Sequence, residues 1–185
     1  MRVGAAFFNR PALVVARDLI GKYLVREVGG TKVAHLIVET EAYFGVRDQG
    51  SHTHRGKTPR NAPMFSHAGT IYVYFTYGMH WMLNLVCGKE GFPAAVLIRG
   101  IVTAEGIRID GPGKLTRALS IDKTLNEKQL GPRAGLWIED RGFTVSRGAI
   151  IRTPRIGIPD RGEWTEKPWR FVLKRFEPRR GRRGS

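Results

Sequence analysis

The run KYLVREVGGTKVAHLIVETEAY, residues 22–43, decides the fold. Two stretches rich in β-branched and aromatic residues flank Gly29 and Gly30, and a glycine pair supplies the positive φ values that a tight hairpin turn requires. The prediction is a strand over 22–28, a turn, and a second strand over 31–38 that runs on through 37–43. In an extended strand successive side chains alternate between faces, which puts Ile37, Glu39, Glu41 and Tyr43 on one side and Val38, Thr40 and Ala42 on the other. Two carboxylates and a phenol on one face of a core-like strand admit two accounts. The face meets solvent or pairs with the chain's cations; or it lines a pocket, since Tyr43 is followed by Gly45 and a polar loop bearing His52 and His54. A carboxylate at a strand end, beside an aromatic ring and a loop, suits general-base chemistry.

Working outward, residues 11–23 place Ala12, Val15, Ala16, Leu19, Ile20 and Tyr23 at helical spacing, with Pro11 in the first turn and Gly21 near the exit. Residues 44–69 form a long surface loop, of a length that signals function or mobility, and it contains RGKTPRN (55–61). TIYVYFTY (70–77) and WMLNLV (81–86) read as strands joined by a turn at 78–80, and AVLIR (95–99) as a further strand. GPGKLTRAL (111–119) is a glycine-rich turn feeding a short helix. LWIE (136–139) and FTV (143–145) suggest short strands. The tail KRFEPRRGRRGS (174–185) is basic, with disorder expected beyond residue 178. No repeat is visible.

The 185 residues suffice for one substantial core, so one domain is expected, over 1–178, with 179–185 as its tail. Thirty-one Lys and Arg against 16 Asp and Glu give a net charge of +15. Such a field repels itself, and a polyanionic partner offsets it: nucleic acid first, an anionic membrane surface second. Proteins of acidic or hot habitats also carry such charge without binding DNA. The single Cys87 excludes an internal disulfide and a cysteine-rich zinc site. Residues 1–10 lack the apolar stretch of a signal peptide, and no apolar run is long enough to span a bilayer. A soluble, cytoplasmic, monomeric protein is expected.

The hairpin over 70–86 carries a second constellation. With its turn at 78–80, Tyr77 falls opposite Trp81, and Tyr74 falls opposite Asn84 on the face shared by Tyr72 and Met82; a two-residue turn shifts that pairing. The tip presents Tyr77 and Met79 where turns ordinarily carry Asn, Asp or Gly. Such a tip can serve as a wedge pushed between base steps from the minor groove, or it can fold back on the core or meet a second subunit. Lys114, at the glycine-rich entry to a helix, is a candidate phosphate contact, as are Arg55, Lys57 and Arg60; solvated charge is the alternative for each. His52 and His54 lack the partners of a metal site, and neither a metal nor a cofactor is expected.

The runs IVETEAY (37–43), TPRNAPMF (58–65), YVYFTYGMH (72–80), GPGKL (111–115) and GEW (162–164), in this order, resemble the methylpurine-DNA glycosylase family, also called alkyladenine or 3-methyladenine DNA glycosylases. The similarity runs from the first helix to about Phe171. The resemblance implies an α+β fold: a single mixed domain with a curved, largely antiparallel sheet, flanking helices and a protruding β-hairpin. It implies that Glu41 activates the water attacking the sugar C1′ and that Arg99 lies near that water and the DNA backbone. Tyr43, His52 and Tyr74 match residues that hold the flipped base, Asn84 the asparagine that crowds the amino group of guanine, and Tyr77, with Met79 beside it, the residue that replaces the extruded base. The implied partner is double-stranded DNA containing damaged purines. Glu39 belongs to the motif with no role to carry over, and neither does His54 have one. The resemblance puts no lysine in the pocket, so a monofunctional enzyme is expected, with Arg99 keeping Glu41 ionised. A short basic chain without an amino-terminal extension resembles bacterial or archaeal members.

Two rival functions use the same features. A non-catalytic nucleic-acid-binding module would exploit the basic surface and aromatic hairpin without bond cleavage, and an enzyme acting on RNA or another phosphorylated substrate could share such a sheet.

Overall fold

The structure, a computed structural model, describes residues 1–146 and 148–174. Among these, the strands β1 (Tyr23–Val28), β2 (Thr31–Phe44), β3 (Ile71–Thr76), β4 (His80–Val86), β5 (Ala94–Val102), β6 (Arg108–Asp110), β7 (Leu136–Glu139), β8 (Ile150–Thr153) and β9 (Arg170–Leu173) join one sheet. Its main path runs β3-β4-β5-β2-β1-β7, with β6 on β5, β9 on β2 and β8 on β9. All pairings are antiparallel. With the helices α1 (Ala5–Phe8), α2 (Ala12–Leu19), α3 (Pro112–Ala118) and α4 (Glu163–Glu166), this is an α+β fold around a curved antiparallel sheet. The expected domain limit at residue 178 and the basic tail over 179–185 lie outside the described residues.

The first hairpin forms as its sequence demands. Val28 pairs with Thr31, leaving Gly29 and Gly30 as a two-residue turn at φ +55° and +80°. The preceding helix is shorter than its periodicity suggests. It ends at Leu19, because Gly21 sits at φ +86° with Val145 and Phe143 packed where a side chain would project, and Tyr23 belongs to β1 instead. Ala12, Val15, Ala16 and Leu19 form the buried stripe of α2, and the Thr40 hydroxyl donates to the Ala16 carbonyl at 2.8 Å, fastening the helix to β2. The apolar core gathers Leu24, Val38, Ile71, Leu83, Leu85, Ile98, Ile101 and Leu115 around this contact.

Strict alternation along 37–43 does not hold. The pairing of β2 with β5 shifts between Ile37 and Glu39 and again between Glu39 and Thr40, so Ile37 joins Val38 and Ala42 in the core. A compensated irregularity of this kind leaves one extra residue on each strand in turn and re-aims the neighbouring side chains. From Glu39 onward the expected grouping stands apart from that core.

The second hairpin turns one residue earlier than expected. Thr76 pairs with His80, so Tyr77, Gly78 and Met79 form the turn, Phe75 faces Trp81, Tyr74 faces Met82, and Tyr72 faces Asn84. Because a strand repeats every two residues, this two-residue change in pairing keeps Tyr72, Tyr74, Met82 and Asn84 on one face. Residues 143–145 are not a strand, while β6, β8 and β9, not anticipated from the sequence, complete the sheet.

Candidate active site

A cavity of about 770 Å³ opens between the β3–β4 hairpin, the connection from β2 to β3, the start of α3 and residues 156–161. Tyr43, Tyr72, Tyr74, Asn84 and Leu97 line it from the sheet, and His52 from the connection. Tyr43, His52, Tyr74, Asn84 and Arg99 thus all line one cavity. The imidazole of His52 stands edge-on to Tyr74, ring centroids 4.7 Å apart, and Tyr72 lies tilted against Tyr74 at 5.3 Å. Such ring geometry suits a flat aromatic ligand.

Glu41 stands one layer behind this wall. Its side chain has no exposed surface, and it is not itself a lining residue. The Ile156 backbone N–H donates to its Oε1 at 2.8 Å, the Tyr43 hydroxyl donates to its Oε2 at 3.0 Å, and Arg99 Nε lies 3.4 Å from Oε1. Tyr43, Arg99 and Ile156 all line the cavity, so every one of these contacts links the carboxylate to its wall. Burial raises the pKa of Glu41 and outweighs, in order, the Arg99 charge, the Ile156 and Tyr43 hydrogen bonds and the Arg155 charge, which all lower it. The Arg99 charge thus acts in the direction expected of it, favouring the ionised form, but desolvation outweighs it.

Arg99 sits between two acids. Glu39 Oε1 accepts from Arg99 Nε at 3.1 Å and from Arg170 Nε at 2.7 Å. Below Tyr43 lies a second buried pair. Arg155 donates from both terminal nitrogens to Asp48, at 2.7 and 2.8 Å, and also to the carbonyls of Ala42 and Trp164. Its guanidinium stacks 4.8 Å from the Tyr43 ring centroid and 5.1 Å from that of Trp169. Asp48 in turn accepts the backbone N–H groups of Phe44 and Gly50. Sequence reasoning missed this pair, since Arg155 lies in no quoted motif.

The β2–β3 connection is pinned rather than loose. Buried Asn61 accepts from Thr58 N–H at 2.7 Å and donates to the carbonyls of His52 and Gly56, which sets the loop that carries His52 and Arg55. The motif TPRN held this signal. His52 is exposed at the cavity edge, and desolvation against its neighbours, then the charges of Arg60 and His54, lower its pKa. Tyr74 is pushed up to about 12, chiefly by desolvation and then by the Glu41 charge, and Tyr43 is raised well above the ordinary tyrosine value by the same two causes. Both phenols therefore stay protonated donors at neutral pH. Among the described residues, no hydrogen-bond partner meets the hydroxyl of buried Tyr72. Asn84 is buried and donates weakly to the carbonyls of Tyr72 and Met82 at 3.3 and 3.4 Å.

At the rim, Tyr77, Arg55, Lys114 and Arg161 line the opening. Tyr77 is 77% exposed and holds φ +52°. Met79 is exposed at the same turn but does not line the cavity. Lys57 and Arg60 also stand off it: Lys57 Nζ lies over the Phe65 ring at 5.4 Å, and Arg60 donates to the Phe75 carbonyl at 2.8 Å with its guanidinium over Tyr74. Lys114 is exposed at the rim, at the start of α3. Gly113 lets α3 approach the hairpin, since a Cβ there would meet the His80 ring at 2.8 Å. Among the described residues no group of three His, Cys, Asp or Glu is placed to hold a metal, and no helix is long and apolar enough to cross a membrane.

Comparison with known proteins agrees with this geometry. The profile of methylpurine-DNA glycosylase (MPG) matches residues 6–177. The chain is 45% identical over 183 residues to a protein of Methanocella arvoryzae carrying the provisional name 3-methyladenine DNA glycosylase, covering 91% of this chain and 90% of that one. It is 37% identical over 199 residues to the DNA-3-methyladenine glycosylase of Mus musculus and 35% identical over 198 to that of Homo sapiens. Those alignments cover 94% of this chain and 59% and 66% of the mammalian proteins. The chain therefore belongs to the methylpurine-DNA glycosylase family.

Proposed function

We propose that the protein is a monofunctional DNA-3-methyladenine glycosylase that rotates alkylated or deaminated purines out of duplex DNA and hydrolyses their N-glycosidic bond with a Glu41-activated water. The observation that carries this is the joining of one buried carboxylate, Glu41, to three lining residues of an aromatic cavity. Each carboxylate oxygen keeps a lone pair beyond the bond it accepts. The water approaches on the side of Arg99 and of Ile156, which is 49% exposed. A raised pKa makes Glu41 a stronger base once ionised, and its negative charge favours an oxocarbenium-like sugar.

The base enters between Tyr43, Tyr74 and His52. Extrusion costs a few kcal/mol and least for a damaged or mispaired base. A cationic base such as 3-methyladenine or 7-methylguanine gains about 0.5–2 kcal/mol from the aromatic faces. Hypoxanthine and ethenoadenine, neutral, fit the same cleft and need ring protonation to leave. Asn84 crowds the exocyclic amino group of normal guanine. Tyr77, with Met79 beside it, fills the vacated stack. Arg55 and Lys114 meet phosphates at the rim, and Lys57 and Arg60 do so beyond it, so affinity falls steeply with salt.

A Schiff-base mechanism needs an amine activated by desolvation or a neighbouring cation, and Lys114 is exposed. Borohydride trapping therefore yields no covalent complex. The deciding experiment incubates the protein, without metal, with a duplex carrying one hypoxanthine and, separately, with methylated DNA, and looks for alkali-labile abasic sites. Binding without product on either substrate would replace this function by that of a binding module.

A further inference from the structure

Glu39 is a nearly buried carboxylate that the reaction described above does not use. Its single oxygen Oε1 receives Nε of both Arg99 and Arg170, and its side chain is 6% exposed. The backbone is built around it. The pairing of β2 with β5 shifts register on either side of Glu39, and the residue opposite is Gly100, where a Cβ would stand 3.0 Å from Glu39 Cβ and 3.3 Å from Oε2. Only a glycine leaves that space open. Arg99 Nε lies 3.1 Å from Glu39 and 3.4 Å from Glu41 on the other side. Among the described residues no hydrogen bond engages the terminal nitrogens of Arg99, and Arg99 lines the cavity.

We propose that Glu39 is a positioning residue for Arg99: it tethers Nε so that the guanidinium stands beside Glu41 without closing on it as a bidentate pair, and its terminal N–H groups remain directed to the cavity. An arginine paired fork to fork with Glu41 would occupy the lone pairs that the water needs and would weaken the acid as a base. Glu39 also balances the second cation, Arg170, which pairs across the backbone from Glu41. The inference rests on the assignment of Glu41 as the base.

Among the described residues, the charged and titratable groups around Glu41 are Glu39 and Tyr43 on its own strand, Arg99 on β5, Tyr74 on β3, Arg170 on β9 and Arg155 after β8, itself paired with Asp48. Neutralising Glu39 adds net positive charge to this set, which favours ionised Glu41. The acid limb of the rate profile then moves to lower pH while the plateau rate falls, a combination that simple loosening of the fold does not produce.

The test is single-turnover excision of hypoxanthine from a duplex across pH, by wild type, Glu39→Gln, Gly100→Ala and Glu41→Gln, with thermal melts and binding to DNA containing a tetrahydrofuran abasic analogue. For Glu39→Gln the plateau rate falls roughly tenfold to hundredfold. Its acid limb moves down by about one pH unit or less, and binding to the abasic analogue is unchanged. Gly100→Ala crowds Glu39 without changing charge and lowers the plateau in the same direction by less; it carries the test if Glu39→Gln does not fold. A lower melting temperature with an unmoved acid limb, or an unchanged plateau, overturns the proposal while leaving the function intact. Full activity in Glu41→Gln overturns the assigned base and this proposal together.

Discussion

Asp48 and Arg155, 107 positions apart, form a bidentate ion pair at 2.7 and 2.8 Å with no exposed side-chain surface on either partner. The pair joins the loop after β2 to the segment whose next residue, Ile156, donates to Glu41. Removing one partner leaves the other buried and uncompensated. Asp48→Asn is expected to lower stability by about 3–5 kcal/mol, read by chemical denaturation. Excision by the folded fraction should fall as well, because Tyr43 and Ile156 lose their common support.

The raised pKa of Glu41 fixes a pH dependence of stability. A carboxyl that binds its proton more tightly when folded contributes stability that is fully present below its unfolded pKa and is lost as pH rises through the folded one. Glu41→Gln, which mimics the protonated form, removes this dependence. The melting temperature of the variant relative to wild type should therefore be higher at pH 8 than at pH 4, and the variant should bind damaged duplex yet release no base. A gap that narrows with rising pH would contradict the burial argument.

At the hairpin turn, Tyr77 holds a left-handed backbone that costs a non-glycine residue about 1–2 kcal/mol and, being mostly exposed, recovers little through packing. Glycine relieves the strain but loses about 0.5–1 kcal/mol of chain entropy. Tyr77→Gly should change folding stability by less than about 1 kcal/mol. Capture of an extruded base, followed with a fluorescent base analogue in the duplex, should nevertheless weaken; unchanged capture would remove Tyr77 from that role.

The close approach of α3 to the hairpin gives a fourth stability test. A methyl group at Gly113 meets the His80 ring at 2.8 Å, so Gly113→Ala should destabilise by about 1–3 kcal/mol. Combining it with His80→Ala opens the space, and most of the loss should return. A double-mutant cycle of thermal melts measures that coupling. Additive losses would show that the two sites do not press on one another.

Local chemistry made the sheet legible. Gly29 and Gly30 marked the first hairpin because only their backbone freedom allows its turn, and period two kept Tyr72, Tyr74, Met82 and Asn84 together although the turn between them lay one residue earlier. The family motifs led to the residues that meet in the cavity. What stayed hidden depends on distant pairings. The four-residue strands β8 and β9 show too little alternation to be seen alone, and nothing near Asp48 indicates a partner at Arg155. The irregular pairing around Glu39 broke an otherwise regular pattern, and the backbone N–H of Ile156 reaches the Glu41 carboxylate from 115 residues away.

Residues Glu39, Thr40 and Glu41 pair with β5 on one side and β9 on the other, so this part of β2 has no free edge. Exposing its backbone to solvent requires the sheet itself to come apart, and amide exchange there should report global unfolding, while the turn at Tyr77 and the exposed residues near His52 exchange through small local excursions. Glu41 is thus expected in the slowest-exchanging part of the sheet and the turn at Tyr77 in a faster one, which would leave that rim free to vary without loosening the centre.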